Sequence, residues 1–407
     1  MSFQSNRLLL CKIFISIANL KYFLTKIKKS LLKKNNEKRK FIETRNYTMY
    51  SIIERRILLE KRAADLLQLA VNRGVSDIHI LPDQTSYKIH FRVSTGMQKI
   101  AEYPLELGER LISYFKFLSN MDVGERRKPQ SGSCSYLISQ TTIELRLSTI
   151  SNYLYQESLV LRILYSQRNQ VNENMQVFFK KDSVHLEKLL NYKSGLILFS
   201  GPVGSGKTTS IYHLLRKKYA TEPIQIITME DPVEIKEPNF LQTQINEKAG
   251  ISYSALIKQS LRHHPDILVI GEIRDEETAK MVIRSALTGH LVLATIHAKE
   301  CLGVLERMLE LDVSYEQLKQ SLIGIVSQRL INKYCPICEG PCSVFCEHFP
   351  IHQKKAVLFE IISGDSLKKV MEKKGGNPQF KTMNQKLRTA YACGFITKKD
   401  FEEYQLF

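Results

Sequence analysis

One nine-residue segment restricts the fold more than any other: Gly201-Pro202-Val203-Gly204-Ser205-Gly206-Lys207-Thr208-Thr209. It fits the pattern G-x-x-x-x-G-K-S/T and lies between the apolar run Leu196 to Phe199 and a helix-like stretch from Ser210 to Lys218. That is the strand–loop–helix setting in which such a loop cradles phosphate. Glycines at 201, 204 and 206 permit positive φ and a close backbone approach to an anion. Backbone N–H groups and the following helix N-terminus supply donors and partial positive charge. Lys207 is placed to reach the β- and γ-phosphates, and the Thr208 hydroxyl to ligate magnesium. The segment implies a chain that binds a nucleoside triphosphate with Mg²⁺.

The surrounding pattern is α/β. Strand candidates Gly195–Ser200, Ile224–Met229, Asp266–Ile270 and His290–Thr295 alternate with helical segments, which implies a mainly parallel sheet covered on both faces. This second domain is expected over 182–330, with a helical pattern from Ala298 to Ile331. Before it, a helix from Met49 to about Val71 leads to alternating runs Ser76–Ile80 and Tyr87–Val93. A helix over Leu105–Met121 follows, then strands Ser135–Ile138, Thr142–Leu147 and Ser158–Leu164. A smaller α+β domain is therefore expected over 49–165, a polar linker over 166–181, and a cysteine tract with a helical tail over 331–407.

Charge is uneven. Of the net +18, residues 1–48 carry 12 Lys/Arg against 2 Glu, so +10 belongs to this leading segment. It reads as a membrane-surface segment, a disordered arm or an upstream extension before a start at Met49, the last being favoured. A basic chain invites a nucleic-acid translocase reading, but most of the charge lies outside the folded body. No basic and aromatic residues interleave as single-strand binding requires. No run reaches the ~18 uninterrupted apolar residues of a membrane span.

Several carboxylates and cations are candidates for chemistry. The apolar run Ile267 to Ile270 ends in Gly271-Glu272, about 60 residues after the loop, where triphosphatases deliver the acid that handles water. The commoner pattern has Asp before this Glu; Gly271 leaves Glu272 as base or water positioner. Glu230 and Asp231 close another strand and point to opposite sides, so at most one faces nucleotide; Glu230 is favoured over a solvated turn acid. His297 either senses the γ-phosphate or is structural. Arg146, Arg162, Arg274 and Arg284 are candidate cations for a developing phosphoryl anion. Cys335, Cys338, Cys342 and Cys346, with His348 nearby, suit a closed structural Zn²⁺ site or free loop thiols.

Taken together, the motifs resemble the secretion and type IV pilus assembly ATPases over about residues 50–340. The resemblance rests on Ser76–His79, Met121–Gln130, Arg146–Thr149, Arg162–Leu164, Glu230–Lys236, Leu261–Asp266, Gly271–Asp275, Leu287–His290 and Thr295–Ala298, besides the phosphate loop. Within the family it is similar to the competence-pseudopilus ATPases of Gram-positive bacteria. The resemblance implies a PAS-like N-terminal domain joined to a RecA-like domain and a homo-hexameric ring. Glu230–Glu234, Gly271–Glu272 and Thr288–His297 would be the Asp box, Walker B and His box. Arg146 and Arg162 would approach the triphosphate from the N-terminal domain. The partner would be a polytopic inner-membrane platform protein that adds pilins to a fibre. The protein would sit in the cytoplasm at the inner face of the membrane, powering DNA uptake without touching DNA. Type II secretion or another type IV pilus is the alternative destination, and the short N-terminal region favours competence.

Overall fold

A computed structural model of the chain describes residues 56–93, 96–138, 141–164, 175–342, 346–350, 353–372 and 380–406. The basic leader and residues 166–174 of the expected linker lie outside them. The chain separates into two compact units, Met1–Leu67 and Gln68–Phe407. The described part of the first is helical, and the helix ends at residue 72.

The second unit opens with a six-stranded antiparallel sheet: β1 (Asp77–Pro82), β2 (Ser86–Val93), β3 (Gly96–Pro104), β4 (Gln130–Ile138), β5 (Thr141–Ser151) and β6 (Glu157–Leu164). Their order is β3-β2-β1-β6-β5-β4. Alternation divides its faces. Ile78, Ile80, Leu145, Leu147, Leu159 and Leu161 are buried, whereas Arg162 and Arg146 share the opposite face in direct register. The helix Leu105–Leu118 packs against this sheet and buries Leu111, Ile112 and Phe115. Strand β3 was not expected: its Gly-Met-Gln-Lys start alternates too weakly to be read, and pairing with β2 supplies what its pattern lacks.

The nucleotide sheet comprises β7 (Gly195–Ser200), β8 (Ile226–Glu230), β9 (Leu241–Gln244), β10 (Ile267–Ile270), β11 (Leu291–Ile296), β12 (Leu322–Asn332) and β15 (Lys355–Ser363). Their order is β15-β12-β7-β11-β10-β8-β9, parallel throughout except for β15. The central strands are apolar on both faces because both are covered: Leu196 and Leu198 join one core cluster, Ile197 and Phe199 the other. This is the expected α/β fold, with an α+β domain before it.

Two expectations change. Residues 298–331 are not helical throughout. Helices Cys301–Glu310 and Tyr315–Ser321 give way to β12, which pairs with β7. Its run Leu-Ile-Gly-Ile-Val is buried on both faces, and periodicity alone does not separate such a strand from a buried helix. The C-terminal region is also not purely helical: β15 joins the sheet antiparallel to β12, and helices Met383–Ala392 and Lys398–Tyr404 pack behind it. A short ribbon, β13 (Tyr334–Cys335) with β14 (Gly340–Pro341), carries the cysteine tract.

Candidate nucleotide site

Parallel strands bring their carboxyl ends to one edge, where α/β sheets bind ligands. At that edge β7 leads into the phosphate loop. Gly201, Gly204 and Gly206 have φ of 140°, 76° and 82°, as expected. The helix Lys207–Thr221 starts from left-handed Gly206 with no side-chain cap and no acid in its first turn. Its first N–H groups are therefore left to accept an anion, which is the fit a triphosphate requires. Lys207 Nζ donates to the carbonyls of Gly201 (2.8 Å) and Pro202 (3.3 Å), so the loop is folded around its own lysine. Burial pulls the Lys207 amine below its usual range and the Arg329 cation adds to this, while Glu272 opposes both. Thr208 is half-buried in the first turn; Pro202, Val203, Gly204 and Thr209 are exposed.

Glu272 follows β10 after one residue, Gly271. Its carboxylate is ion-paired with Arg274, and His297 Nε2 lies 3.4 Å from Oε2. The ends of β10 and β11 are stitched together: Ile273 N–H donates to Thr295 O at 2.8 Å, and Thr295 Oγ1 donates to Gly271 O at 2.5 Å. These bonds bring Glu272 and His297 together although 25 residues separate them. The bond with Glu272 raises the Arg274 pKa. Gly271 has a steric reason. A Cβ there would stand 2.9 Å from the backbone oxygen of Met229, so the Asp of the commoner pattern has no room.

Glu230 faces inward. It accepts hydrogen bonds from the Tyr212 hydroxyl, from Thr228 Oγ1 (2.7 Å) and from Gln242 Nε2 (3.3 Å). Burial, then the Glu230 charge, push the Tyr212 hydroxyl pKa upward. Asp231 is the neighbour that reaches towards Glu272, through Arg274 Nη1 at 3.3 Å. Arg146 and Arg162 lie on the six-stranded sheet, opposite each other in register, with Arg162 Nε donating to Asp77 at 2.8 Å. Asp77, Ser133, Arg146 and Arg162 line one cleft with Leu147 and Val160. Arg284 is exposed on the helix Glu276–Leu287.

Sequence reasoning missed two site residues, Gln328 and Arg329, because it placed them on a helix. Both are buried in β12 just past its pairing with β7: Gln328 Nε2 donates to Ser205 O at 2.6 Å and Arg329 Nη2 to Lys299 O at 2.5 Å. The available signal was a polar pair within the apolar run from Leu322 to Ile331.

The cysteine tract closes on itself. Donor atoms of Cys335, Cys338, Cys342 and His348 lie within 4.8 Å of one another, and Cys346 Sγ is 3.4 Å from those of Cys338 and Cys342. Tetrahedral zinc takes four ligands with thiolate sulfurs about 3.8 Å apart, so the set of Cys335, Cys338, Cys342 and His348 fits that metal, with His348 in the place expected of Cys346. Burial pushes the Cys335 thiol up. Donors from Cys338, Ile337, Cys342 and His348 outweigh it and bring the pKa to about 6.

Residues 54–394 match the family model described as "Type II/IV secretion system protein". The chain is 39% identical over 352 residues to "Competence protein ComGA" of Bacillus subtilis (strain 168), covering 85% of this chain and 98% of that protein. It is 44% identical over 274 residues to "Competence protein ComGA" of Streptococcus pneumoniae, covering 67% and 85%. Among solved structures, the pilus retraction motor PilT with bound ADP aligns at a TM-score of 0.57 and 24% identity, over 84% of this chain and 97% of that one, a likeness of fold.

Proposed function

The chain belongs to the type II/IV secretion system protein family, and from that premise we propose that it is a motor ATPase powering assembly of a competence pseudopilus for DNA uptake. The observation that carries the enzyme reading is the convergence of the phosphate loop with the Glu272–His297 pair at one edge of a parallel sheet. The two relatives named competence protein ComGA, matched over most of their length, direct it to competence.

The N–H groups of Gly204, Gly206, Lys207, Thr208 and Thr209, in the loop and at the helix N-terminus, bind the phosphates, and Lys207 turns from its loop carbonyls to them. Thr208 is the side chain placed to hold Mg²⁺, which when bound neutralises charge on the phosphates. Glu272 orients the attacking water and accepts its proton, while Arg274 and His297 set the direction of its carboxylate. Glu230 acts on the same water only if its buried network opens; as folded, it anchors β8 to the helix through Tyr212. Arg146 and Arg162 bring charge from the N-terminal domain (49–165) when a homo-hexameric ring closes. Domain rotation in that ring would drive a polytopic platform protein at the inner face of the membrane, and through it the pilins, with no direct DNA contact. No described helix is long and apolar enough to cross a membrane. The cysteine cluster holds a structural zinc. The domain limits proposed are 182–330 for the ATPase domain, extended by β15 from the C-terminal region (331–407).

The test is genetic and biochemical together. The gene is deleted and restored as wild type or as Glu272→Gln, and surface pilin, DNA uptake and ATP turnover of the purified proteins are scored. Wild type is expected to restore all three, while Glu272→Gln binds ATP but turns over roughly 10²-fold or more slowly. DNA uptake independent of the gene would move the motor to type II secretion or another type IV pilus. Full turnover by Glu272→Gln would remove that carboxylate from the chemistry.

A further inference from the structure

Strand β12 runs parallel to β7 with Ser327 opposite Ser200, so the next residue, Gln328, lies where β7 turns into the phosphate loop. Gln328 is fully buried and close to the loop at three points. A Cβ at Gly201 would stand 2.5 Å from the Gln328 carbonyl oxygen, and one at Gly206 would stand 3.6 Å from Nε2. Nε2 itself donates to the Ser205 carbonyl at 2.6 Å. We infer that Gln328 is a positioning residue for nucleotide binding, holding the Ser205 carbonyl inward so that the loop presents N–H groups, not carbonyl oxygens, to the phosphates.

The argument is one of peptide geometry. In a trans peptide unit the C=O and the next N–H point in opposite directions. With Ser205 C=O turned toward β12, the Gly206 N–H turns away from it, to the side on which the helix N-terminus opens. A buried carbonyl deprived of its donor is costly and seeks another orientation. Gly206, at φ 82° and without a Cβ, offers little resistance to that rotation. Stability alone does not account for the glutamine. Its Oε1 is buried without a hydrogen-bond partner among the described residues, as is Ser205 Oγ. An apolar side chain of similar volume would be buried there at lower cost. Arg329 holds this part of β12, donating to Gln328 O at 3.1 Å and to Lys299 O.

The inference rests on the phosphate loop being a nucleotide site, and the experiment separates the two. Full-length wild type, Gln328→Met and Gln328→Leu are compared for affinity toward fluorescent ADP and ATP analogues, for KM and kcat, and for melting with and without nucleotide. Expected are folded variants whose nucleotide-free melting changes by no more than about 2 °C and whose affinity for both nucleotides falls roughly tenfold or more. KM should rise by a similar factor, with kcat at saturation within about threefold of wild type. Wild-type affinity in a folded Gln328→Met would overturn the assignment. A loss of kcat at unchanged KM would do the same, as would affinity lost only in step with the nucleotide-free melting temperature. A wild-type protein that binds neither nucleotide would remove the nucleotide reading itself.

Discussion

Replacing Gly271 by alanine tests why this chain has glycine before Glu272. The added Cβ would lie 2.9 Å from Met229 O, 2.9 Å from the Tyr253 hydroxyl and 3.3 Å from Glu230 Cα. The Tyr253 ring has some freedom to shift, but Met229 O has little. It accepts the Gly271 N–H at 2.8 Å, and Met229 is held opposite Ile270 in the β8–β10 ladder. The strand end must therefore move by a few tenths of an ångström, an overpacking that costs about 1–3 kcal/mol. At roughly 2–4 °C per kcal/mol, melting should fall by about 2–12 °C. Glu272 is the adjacent residue, so its carboxylate moves off His297. Since about 1 Å of misplacement costs roughly 10²-fold, a shift of this size should reduce turnover about tenfold. Differential scanning fluorimetry and steady-state ATPase assays on Gly271→Ala, with Tyr253→Phe added, read both effects. The double variant removes the hydroxyl contact but not the Met229 contact, so it should recover only part of the lost stability. Wild-type melting and turnover in Gly271→Ala would refute the steric argument. Complete rescue by Tyr253→Phe would refute the role given to Met229.

Three further outcomes are expected. Arg146→Ala should fold as wild type but lose ring-dependent ATPase activity by roughly tenfold or more, whereas wild-type turnover would make it a surface residue. Burial pushes the Glu360 carboxyl up to about 7, although the Cys301 N–H pulls the other way. The folded chain therefore keeps a proton that the unfolded chain has released above about 4.5, and this contribution to stability is lost as pH rises through about 7. Glu360→Gln should flatten that dependence and exceed wild type at pH 8 by up to about 3 kcal/mol in denaturant unfolding; an unchanged pH slope would contradict it. Purified protein should carry about one zinc per chain by elemental analysis, with chelation lowering the melting temperature. A zinc-free protein with undiminished melting would assign the cluster to free thiols.

Much of the site was legible because its chemistry is local in sequence. The phosphate loop has a fixed spacing set by one turn of backbone around an anion, and Glu272 lies two residues past an unmistakable buried strand. The Glu272–His297 contact was less legible. Its partners come from different strands, and the bonds between Ile273, Thr295 and Gly271 that bring them together are tertiary. Glu230 shows the same limit. Alternation correctly sent Glu230 and Asp231 to opposite sides, but only the fold shows that Tyr212, Thr228 and Gln242 surround Glu230 while Asp231 meets Arg274. His348 joined the cysteines for a comparable reason: spacing gives candidate ligands, and loop closure selects which of them meet.

By itself the sequence determined that this chain carries a phosphate loop on a strand–helix junction, an α/β domain around it and a smaller α+β domain before it. Those features follow from periodicity and from backbone freedom at particular glycines, both encoded within a few residues. The tertiary structure alone decided that β12 is a strand beside the loop and not a helix. An apolar run buried on both sides has the same composition in either form, and only pairing with β7 and β15 selects extended backbone. That choice places Gln328 against the Gly201–Thr209 loop and Arg329 against Lys299, because register across a sheet is a relation between strands distant in the chain.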